Sequence, residues 1–238
     1  GIRDKLVTGV QTCALPIFAS LNIAAFAEDA PVRASFEAGY TSAYLVDGLV
    51  RTKATPFAGV GLGSTYYGID VGVSGTVLPV SESLDESHWA FNIGKGFQIL
   101  EGLNLRTDGS VIRHQAGDPN IPNSTEANIK LALQNVVVTP YVKGIYDINL
   151  EQNGYVVGIE RPTSVFGWFN INPALEYIKL SDSATVAAKL GASRTLFSHL
   201  TVFAEVTYLK NDFDVANFNF AREKLDGVVG SGGLRWTF

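Results

Sequence analysis

The stretch that decides the fold is Ile69-Asp-Val-Gly-Val-Ser-Gly-Thr-Val-Leu78. Branched apolar residues at positions 69, 71, 73 and 77 alternate with polar or small residues at positions 70, 72, 74 and 76. Alternation with a period of two indicates a β-strand that has one apolar face and one polar face. Similar stretches, separated by turn-forming residues, recur from position 33 to the end of the chain. The sequence therefore predicts an all-β fold.

Twelve segments follow this pattern, although the fifth alternates poorly after Thr107 and the ninth changes period near Pro173. A proline inside a strand predicts a bulge or an edge irregularity there. An even number of strands lets a sheet close with both chain ends on one side. We predict one closed, antiparallel, up-and-down transmembrane β-barrel of about 12 strands over residues 28–238, and ten strands remain possible. The predicted strands are 33–44, 55–64, 68–78, 87–97, 103–115, 126–137, 139–150, 155–161, 165–180, 185–196, 199–210 and 227–238.

The composition agrees with strands in which apolar residues alternate with polar or small ones. Hydrophobic residues make up 46% of the chain and charged residues 17%, against about 25% charged residues in soluble domains. The chain has no run of about 20 apolar residues, so a membrane-spanning helix is not predicted. The formal net charge is −5 and no basic cluster exists, so no nucleic-acid partner is expected. The one cysteine is Cys13, so a disulfide framework is not expected.

The first 27 residues are interpreted as foreign to the mature domain. Residues 7–17 resemble the translation of a sequencing-adapter oligonucleotide, and we interpret residues 1–17 as a non-native segment. Residues 18–27 end in Ala25-Phe26-Ala27, a small-x-small pattern typical of a signal-peptide cleavage site. We expect residues 18–27 to be the remnant of a signal peptide, so that the mature protein begins near Glu28 and leaves the cytoplasm.

The connections between the predicted strands alternate in length. In bacterial barrels both chain ends lie in the periplasm, periplasmic turns are short and external loops are longer. The odd connections should therefore be external, and they include the four longest. These are Val46–Ala54, Pro79–Glu86, Ala116–Thr125 and Asn211–Asp226, whereas the short even ones include Thr65–Tyr67, Gln98–Gly102, Pro162–Ser164 and Phe197–Ser198.

Charged residues collect on the face opposite the apolar one, which is predicted to carry almost none. A charge facing lipid near the bilayer midplane would cost about 2–4 kcal/mol, so these residues are expected to line the lumen. They are Arg33, Glu37, Asp70, Arg106, Lys130, Lys143, Asp147, Glu160, Glu176, Lys189, Glu205 and Arg235. Tyrosines and tryptophans near strand ends predict an interfacial girdle. The girdle residues are Tyr44, Tyr67, Trp89, Tyr141, Tyr155, Tyr177, Tyr208 and Trp236.

The chain ends in Leu234-Arg-Trp-Thr-Phe238. Leu234, Trp236 and Phe238 alternate, and this pattern resembles the C-terminal signature that the outer-membrane assembly machinery of Gram-negative bacteria recognises. An amphipathic final strand with an aromatic end can dock on a partner strand before the barrel closes. The resemblance implies a location in the bacterial outer membrane, contact with its lipid, and the barrel-assembly machinery as a partner through the last strand.

The region Tyr40–Leu62 is similar to the opening of a family of small porins of proteobacteria. In that family a first strand with tyrosines leads to an Arg-Gly turn and then to a proline before the second strand. Tyr44, Gly48 and Pro56 match this order, while Asp47 occupies the position of the arginine. The resemblance implies a porin-like function.

No residue pattern predicts catalysis, a metal site or a cofactor. Gly59-Val-Gly-Leu-Gly63 lacks the spacing and the following helix of a dinucleotide-binding loop, and no Gly-x-Ser-x-Gly motif exists. His88, His114 and His199 are far apart in sequence and are expected in loops or at the rim.

The leading hypothesis is a channel for passive diffusion of small hydrophilic solutes or ions. The inward charges could line separate walls of a water-filled channel, or pair across the lumen and close it. One alternative is a non-conducting structural or adhesion barrel that acts through Ala116–Thr125 and Asn211–Asp226. Another is a lipid-modifying enzyme that uses His88 or His114 near the outer rim. A secreted, soluble β-sandwich is the fourth possibility, because its strands alternate as well.

Overall fold

The computed structural model describes residues 30–46, 49–81, 84–115, 123–180, 183–211 and 227–238. The predicted non-native segment 1–17 and signal remnant 18–27 lie outside these residues and stay predictions. Within them, no helix has the length and apolarity that crossing a bilayer requires.

Thirteen β-strands make up the described part of the chain, and all of their pairings are antiparallel. They are β1 (Ala30–Val46), β2 (Leu49–Tyr66), β3 (Ile69–Ser81), β4 (Leu84–Leu100), β5 (Leu103–Gln115), β6 (Ser124–Gln134), β7 (Thr139–Asp147), β8 (Gln152–Glu160), β9 (Thr163–Val165), β10 (Phe169–Leu180), β11 (Ser183–Phe197), β12 (Leu200–Asn211) and β13 (Gly227–Thr237).

Twelve of the strands close into a barrel, which confirms the predicted fold class. Each strand pairs with its neighbours in chain order, and β13 pairs with β1 from Ser35↔Thr237 to Thr41↔Ser231. The alternative of a two-layered sandwich is wrong. Its test residues Val71, Leu131 and Val202 remain 38%, 39% and 37% exposed, so no second sheet covers them.

The extra strand, β9, is the continuation of β8. Both pair with β10 in the same register, and the ladder breaks only at Arg161-Pro162. Pro173 lies opposite this break and lacks an N–H, while the Arg161 N–H donates to the Pro173 carbonyl at 3.0 Å. The irregularity expected near Pro173 is therefore on the β8 side, whereas the pairing with β11 is continuous. The turn lies at 166–168, not at the predicted Pro162–Ser164.

The connections agree with the prediction at one end of the barrel and differ at the other. Short turns join strands at the end that holds the chain termini, for example Tyr67-Gly68. The first two external loops were predicted too long, because β1 and β2 pair up to Val46↔Leu49, and β3 and β4 up to Ser81↔Leu84. Backbone pairing continues where the side-chain alternation has stopped. Most of the other two predicted loops, residues 116–122 and 212–226, lies outside the described residues.

Glycine closes the seam between the first and last strands. Gly39 of β1 pairs with Gly233 of β13. A Cβ added to Gly39 would lie 2.3 Å from the Gly232 carbonyl oxygen and 2.9 Å from the Gly233 Cα. Both neighbours are backbone atoms that cannot move without separating the strands. Glycine at position 39 therefore permits the close approach that completes the barrel.

The outward face is apolar along the whole barrel and carries aromatic residues near both ends. Of the predicted girdle residues, Tyr67, Trp89, Tyr155, Tyr177, Tyr208 and Trp236 are exposed. The prediction is wrong for Tyr141, which is buried and faces the interior, and the Tyr44 side chain lies outside the described part. The outward face also carries more charge than predicted. The charged strand residues of this face whose side chains are described are basic and lie near strand ends: Lys95, Arg113, Lys179, Arg194 and Lys210. Bases with long stems can extend to the membrane surface from such positions.

Candidate functional site in the barrel interior

The interior is the one enclosed space that the twelve strands create. Strands spaced about 4.8 Å apart and tilted by about 40° close into a barrel about 24 Å across between opposite backbones. This width lies between eight-stranded barrels, which side chains fill, and porins of 16–18 strands, which hold a wide channel. The side chains on the inward positions therefore decide how much of this space is filled.

All twelve charged residues predicted to line the lumen occupy inward positions, where they alternate with exposed apolar residues. Five ion pairs hold most of them. These are Arg106–Asp70 at 2.9 Å, Lys130–Glu160 at 3.3 Å, Lys143–Glu126 at 3.7 Å, Lys189–Glu176 at 2.7 Å and Arg235–Glu37 at 3.4 Å.

The other inward charges of the predicted set have polar partners on the same wall. The Arg33 guanidinium donates to the Thr65 hydroxyl at 3.3 Å, and that hydroxyl donates to Asp70 at 2.8 Å. Glu205 accepts a hydrogen bond from Thr207 at 3.4 Å. Asp147 accepts two backbone N–H bonds from residues 149 and 150, so its carboxylate fixes the turn after β7.

The ion pairs run along the wall, which is neither of the two arrangements expected from the sequence. Lys189–Glu176 and Arg235–Glu37 join neighbouring strands, and Lys130–Glu160 skips one strand. None of these five ion pairs joins strands more than two positions apart. Acids and bases therefore lie side by side on the wall, and these ion pairs do not bridge the lumen.

Inward glycines let long side chains lie flat against this wall. Tyr141 of β7 crosses above Gly158 of β8 and donates a hydrogen bond to Glu176 of β10 at 2.5 Å. A Cβ at Gly158 would lie 2.5 Å from the Tyr141 ring. The ring in turn carries the Lys130 ammonium 4.0 Å from its centroid, a cation–π contact. Residues from four strands thus form one network close to the backbone.

Two phenylalanines lie over the seam in the same way. Phe57 of β2 and Phe203 of β12 are in register with Gly39 and Gly233, which stand between them. The rings approach to 6.4 Å between centroids, and the Phe57 ring lies 2.7 Å from the position of an added Gly39 Cβ. The glycine pair therefore makes room for an aromatic patch on the inner wall.

The interior contains an apolar arc that the alternation did not predict. We call it the apolar wall: it is formed by inward, buried side chains of β7 to β13 near their external ends. Its members are Ile145, Val156, Ile178, Ala187, Leu209 and Val229. The expectation that the interior is lined by polar side chains is wrong for this arc, where aliphatic groups pack against each other.

The neighbouring arc, which we call the polar wall, is formed by inward residues of β4 to β6. Its members are His88, Asn92, Arg106, Asp108, Ser110, His114, Ser124, Glu126, Asn128 and Lys130. Arg106 bonds Asp108 of its own strand at 2.7 Å in addition to Asp70, so one guanidinium serves two carboxylates.

Three inward acids were missed from the sequence: Glu86, Asp108 and Glu126. Glu86 lies where a loop was expected, Asp108 lies where the alternation is weak, and Glu126 is the first residue of the predicted strand 126–137. With them, the inward residues whose side chains are described include nine acids and the six predicted bases.

The histidines also differ from expectation. His88 and His114 lie near the external ends of β4 and β5, but both are buried side by side on the polar wall, with their Nδ1 atoms 2.6 Å apart. His199 lies in the turn between β11 and β12. The hypothesis of a lipid-modifying enzyme called for a nucleophile aligned with His88 or His114 near the outer rim. Carboxylates lie near both rings, with Glu86 3.9 Å from His88 Nε2 and Glu126 3.5 Å from His114 Nε2. Ser124 is in register with His114, but its hydroxyl has no hydrogen-bond partner among the described residues.

Solved structures with this fold include porins and an enzyme. The KdgM porin superposes with a TM-score of 0.54 at 8% identity over 87% of this chain and 99% of that one. The KdgM porin in complex with disordered oligogalacturonate gives 0.54 at 8% identity, over 86% and 99%. Outer membrane phospholipase A from Escherichia coli gives 0.51 at 13% identity, over 85% and 89%.

These identities establish a shared fold and no more, because one fold can host unrelated activities. No protein-family model matches the chain, and no curated protein matches it in sequence. The small-porin resemblance of Tyr40–Leu62 is weakened by Pro56, which lies within β2 opposite Tyr40, not before the strand. The apolar outer surface and the shared fold together make the chain an outer-membrane β-barrel protein.

Proposed function

We propose that the protein is a porin-like channel through which small hydrophilic solutes or ions diffuse passively across the outer membrane. The observation that carries this proposal is the course of the ion pairs, which run along the wall and do not bridge the lumen. Side chains such as Tyr141 and Phe57 are also held flat, each above an inward glycine. The KdgM porins, which share the fold, support a channel function.

The interior charge favours cations and uncharged solutes over anions. A narrow, water-filled space in which acids outnumber bases among the described side chains attracts cations, because the surrounding protein and lipid screen charge poorly. Each of the six predicted inward bases lies beside an acid or a hydroxyl, so none of these six is left to attract an anion. We therefore expect this channel to disfavour polyanions of the kind named with the KdgM porin, oligogalacturonate.

Planar-bilayer recording tests this function. Purified protein, shown to be folded by heat-modifiable gel mobility, is added to a bilayer that separates unequal potassium chloride concentrations. We expect discrete conductance steps and a reversal potential that reports higher permeability for potassium than for chloride. Folded protein that inserts without conducting would contradict the channel function, while conductance that prefers chloride would contradict only the charge argument.

We also infer that the final strand carries the assembly signal. Leu234, Trp236 and Phe238 all face outward on the strand that closes the barrel. A Phe238→Asp variant should accumulate unassembled in the periplasm of cells, whereas the same purified variant should refold in detergent. Normal assembly of this variant in cells would contradict the inference.

A further inference from the structure

An apolar groove crosses the outward surface of the barrel from β5 to β11, and its volume is about 610 Å³. Two rows of exposed side chains form its sides, and each row follows the register across neighbouring strands. One row includes Val142, Val157 and Tyr177, and the other includes Pro140, Ile159 and Leu175.

The backbone between the two rows forms the floor of the groove. Tyr141, Gly158 and Glu176 are in register there, and Gly158 has no side chain. The Tyr141 hydroxyl donates to Glu176 on the inner side of the sheet, so neither of these two side chains occupies the outer surface. The groove is therefore bounded by hydrocarbon groups on the side of the sheet that faces lipid.

The groove rises from the periplasmic half of the barrel toward its external end, because the strands of a closed barrel are tilted. In β6 the first row passes through Leu131, seven residues from the external end of that strand. In β10 it passes through Tyr177, three residues from the external end. In β12 the same row reaches Lys210, which is opposite Val186 and one residue from the external end.

The external end of the groove is basic and rich in tyrosine. Lys179 of β10 follows Tyr177 by two residues and is directly opposite Tyr155, whose ring centroid lies 6.3 Å from that of Tyr177. Lys210 of β12 follows the exposed Tyr208 by two residues. Tyrosines and long basic side chains are typical of the level at which apolar surface meets lipid headgroups.

The two lysines differ from the outward base at the periplasmic end of the neighbouring strand. Arg194 lies 5.2 Å from the Trp168 ring centroid and 5.3 Å from that of Phe169. Lys179 and Lys210 have no ion pair or ring contact with another residue in the described part of the chain. Their ammonium groups are therefore placed to receive an external anion.

We propose that this groove, with Lys179 and Lys210 at its external end, binds a lipid of the external leaflet that has an anionic phosphate headgroup. An acyl chain lies in the groove, and the headgroup contacts both ammonium groups. The two lysine backbones are two strand spacings, about 10 Å, apart across the sheet, and both side chains are long enough to converge on one headgroup. The proposal rests on the outer-membrane location and does not depend on channel function.

The dimensions of the groove fit this occupant. It crosses six strands spaced about 4.8 Å apart, so it is about 24 Å long. With strands tilted by about 40° it rises by about 15 Å, which is half of the hydrocarbon thickness of about 30 Å and therefore one leaflet. A second copy of the chain fits less well, because a two-fold interface requires a self-complementary surface and two facing grooves would leave a void.

Lipid binding by the folded barrel tests the headgroup site. Native mass spectrometry in a non-ionic detergent compares phosphatidylglycerol with phosphatidylcholine of identical acyl chains. We expect the anionic lipid to bind more tightly, and Lys179→Gln and Lys210→Gln each to weaken its binding about fivefold, the contribution of one basic residue near an anionic lipid surface. Arg113→Gln, which removes an outward base at the external end of β5, is the matched control and should bind as the unmodified barrel does. Equal binding of the two lipids, or a lysine variant that matches the Arg113→Gln control, would overturn the proposal.

Filling the groove tests the acyl-chain site separately. Val157→Trp places a large ring between the two rows and should weaken the binding of both lipids, whereas Val73→Trp on the outward face of β3 should not. Heat-modifiable gel mobility shows that each variant is folded. Unchanged lipid binding in Val157→Trp would overturn the proposal, and so would displacement of phosphatidylglycerol by inorganic phosphate alone. A dimer that Val157→Trp dissociates would also overturn it, because the occupant of the groove would then be a second copy of the chain.

Discussion

The two walls of the interior are built from strands with the same alternation and yet have opposite chemistry. The apolar wall buries aliphatic groups such as Leu209 that need no partner. The polar wall buries ionisable groups such as Arg106 and His114, each held by neighbours no more than two strands away. The difference teaches that alternation determines which face of the sheet a residue lies on. It does not determine whether the inward residues of a given arc are polar or apolar.

Opening the seam should destroy both walls together. Gly39→Val places a side chain against the backbone of β13, so the barrel cannot close, and we expect no folded protein. Loss of heat-modifiable gel mobility measures this. Gly230→Val is the matched control, because nothing lies within 4 Å of an added Cβ there. A folded Gly39→Val barrel would show that the seam tolerates a side chain.

Placing a charge on the wrong wall should have the next largest effect. Leu209→Asp puts an unpaired carboxylate among aliphatic groups, and we expect a loss of about 3–5 kcal/mol in the free energy of unfolding. Ser110→Asp adds the same charge on the polar wall and should cost less than about 1 kcal/mol, since polar groups surround it. Urea unfolding followed by tryptophan fluorescence compares the two. Equal costs would mean that the two walls do not differ energetically.

Breaking one hydrogen bond of the network should have a moderate effect. Tyr141→Phe removes the donor to Glu176, and a bond to a charged group contributes about 1.5–3 kcal/mol. The same unfolding measurement should show this loss. Tyr155→Phe, on the outward face, is the control and should be close to neutral. A neutral Tyr141→Phe would contradict the interior position of this hydroxyl.

Removing a base from the polar wall should alter selectivity more than stability of the channel. Arg106→Gln frees Asp70 and Asp108 and raises the interior excess by one negative charge, so the reversal potential should shift toward stronger cation preference. Arg113→Gln removes the same charge from the outward face of the same strand and should change the reversal potential little. An equal shift in both variants would mean that ions do not pass the polar wall.

The sequence predicts the architecture well because a period of two is a direct consequence of strand geometry. It separates inward Asp70 from outward Val71 without any knowledge of the partner strands. The prediction of strand bounds fails where backbone pairing extends beyond the alternating residues, as between Val46 and Leu49. It also fails where a proline interrupts a strand that continues, as at Pro162.

The contacts of the site depend on register, which a single sequence does not reveal. His88 and His114 are 26 positions apart and meet because β4 and β5 pair in one particular register. Tyr141 was assigned to the girdle because it is near a strand end, but its position in β7 has inward parity. Glu126 was missed because it is the third residue of a strand that follows a long loop.

The central claim, that inward positions face water and outward positions face lipid, is tested most directly by thiol accessibility on β5. In a Cys13→Ser background the chain has no other cysteine, so Ser110→Cys and Val111→Cys each present one thiol on opposite faces. A charged, membrane-impermeant thiol reagent should modify Ser110→Cys in bilayers and reduce its conductance, while Val111→Cys remains unmodified. Modification of Val111→Cys with Ser110→Cys unreactive would contradict the account.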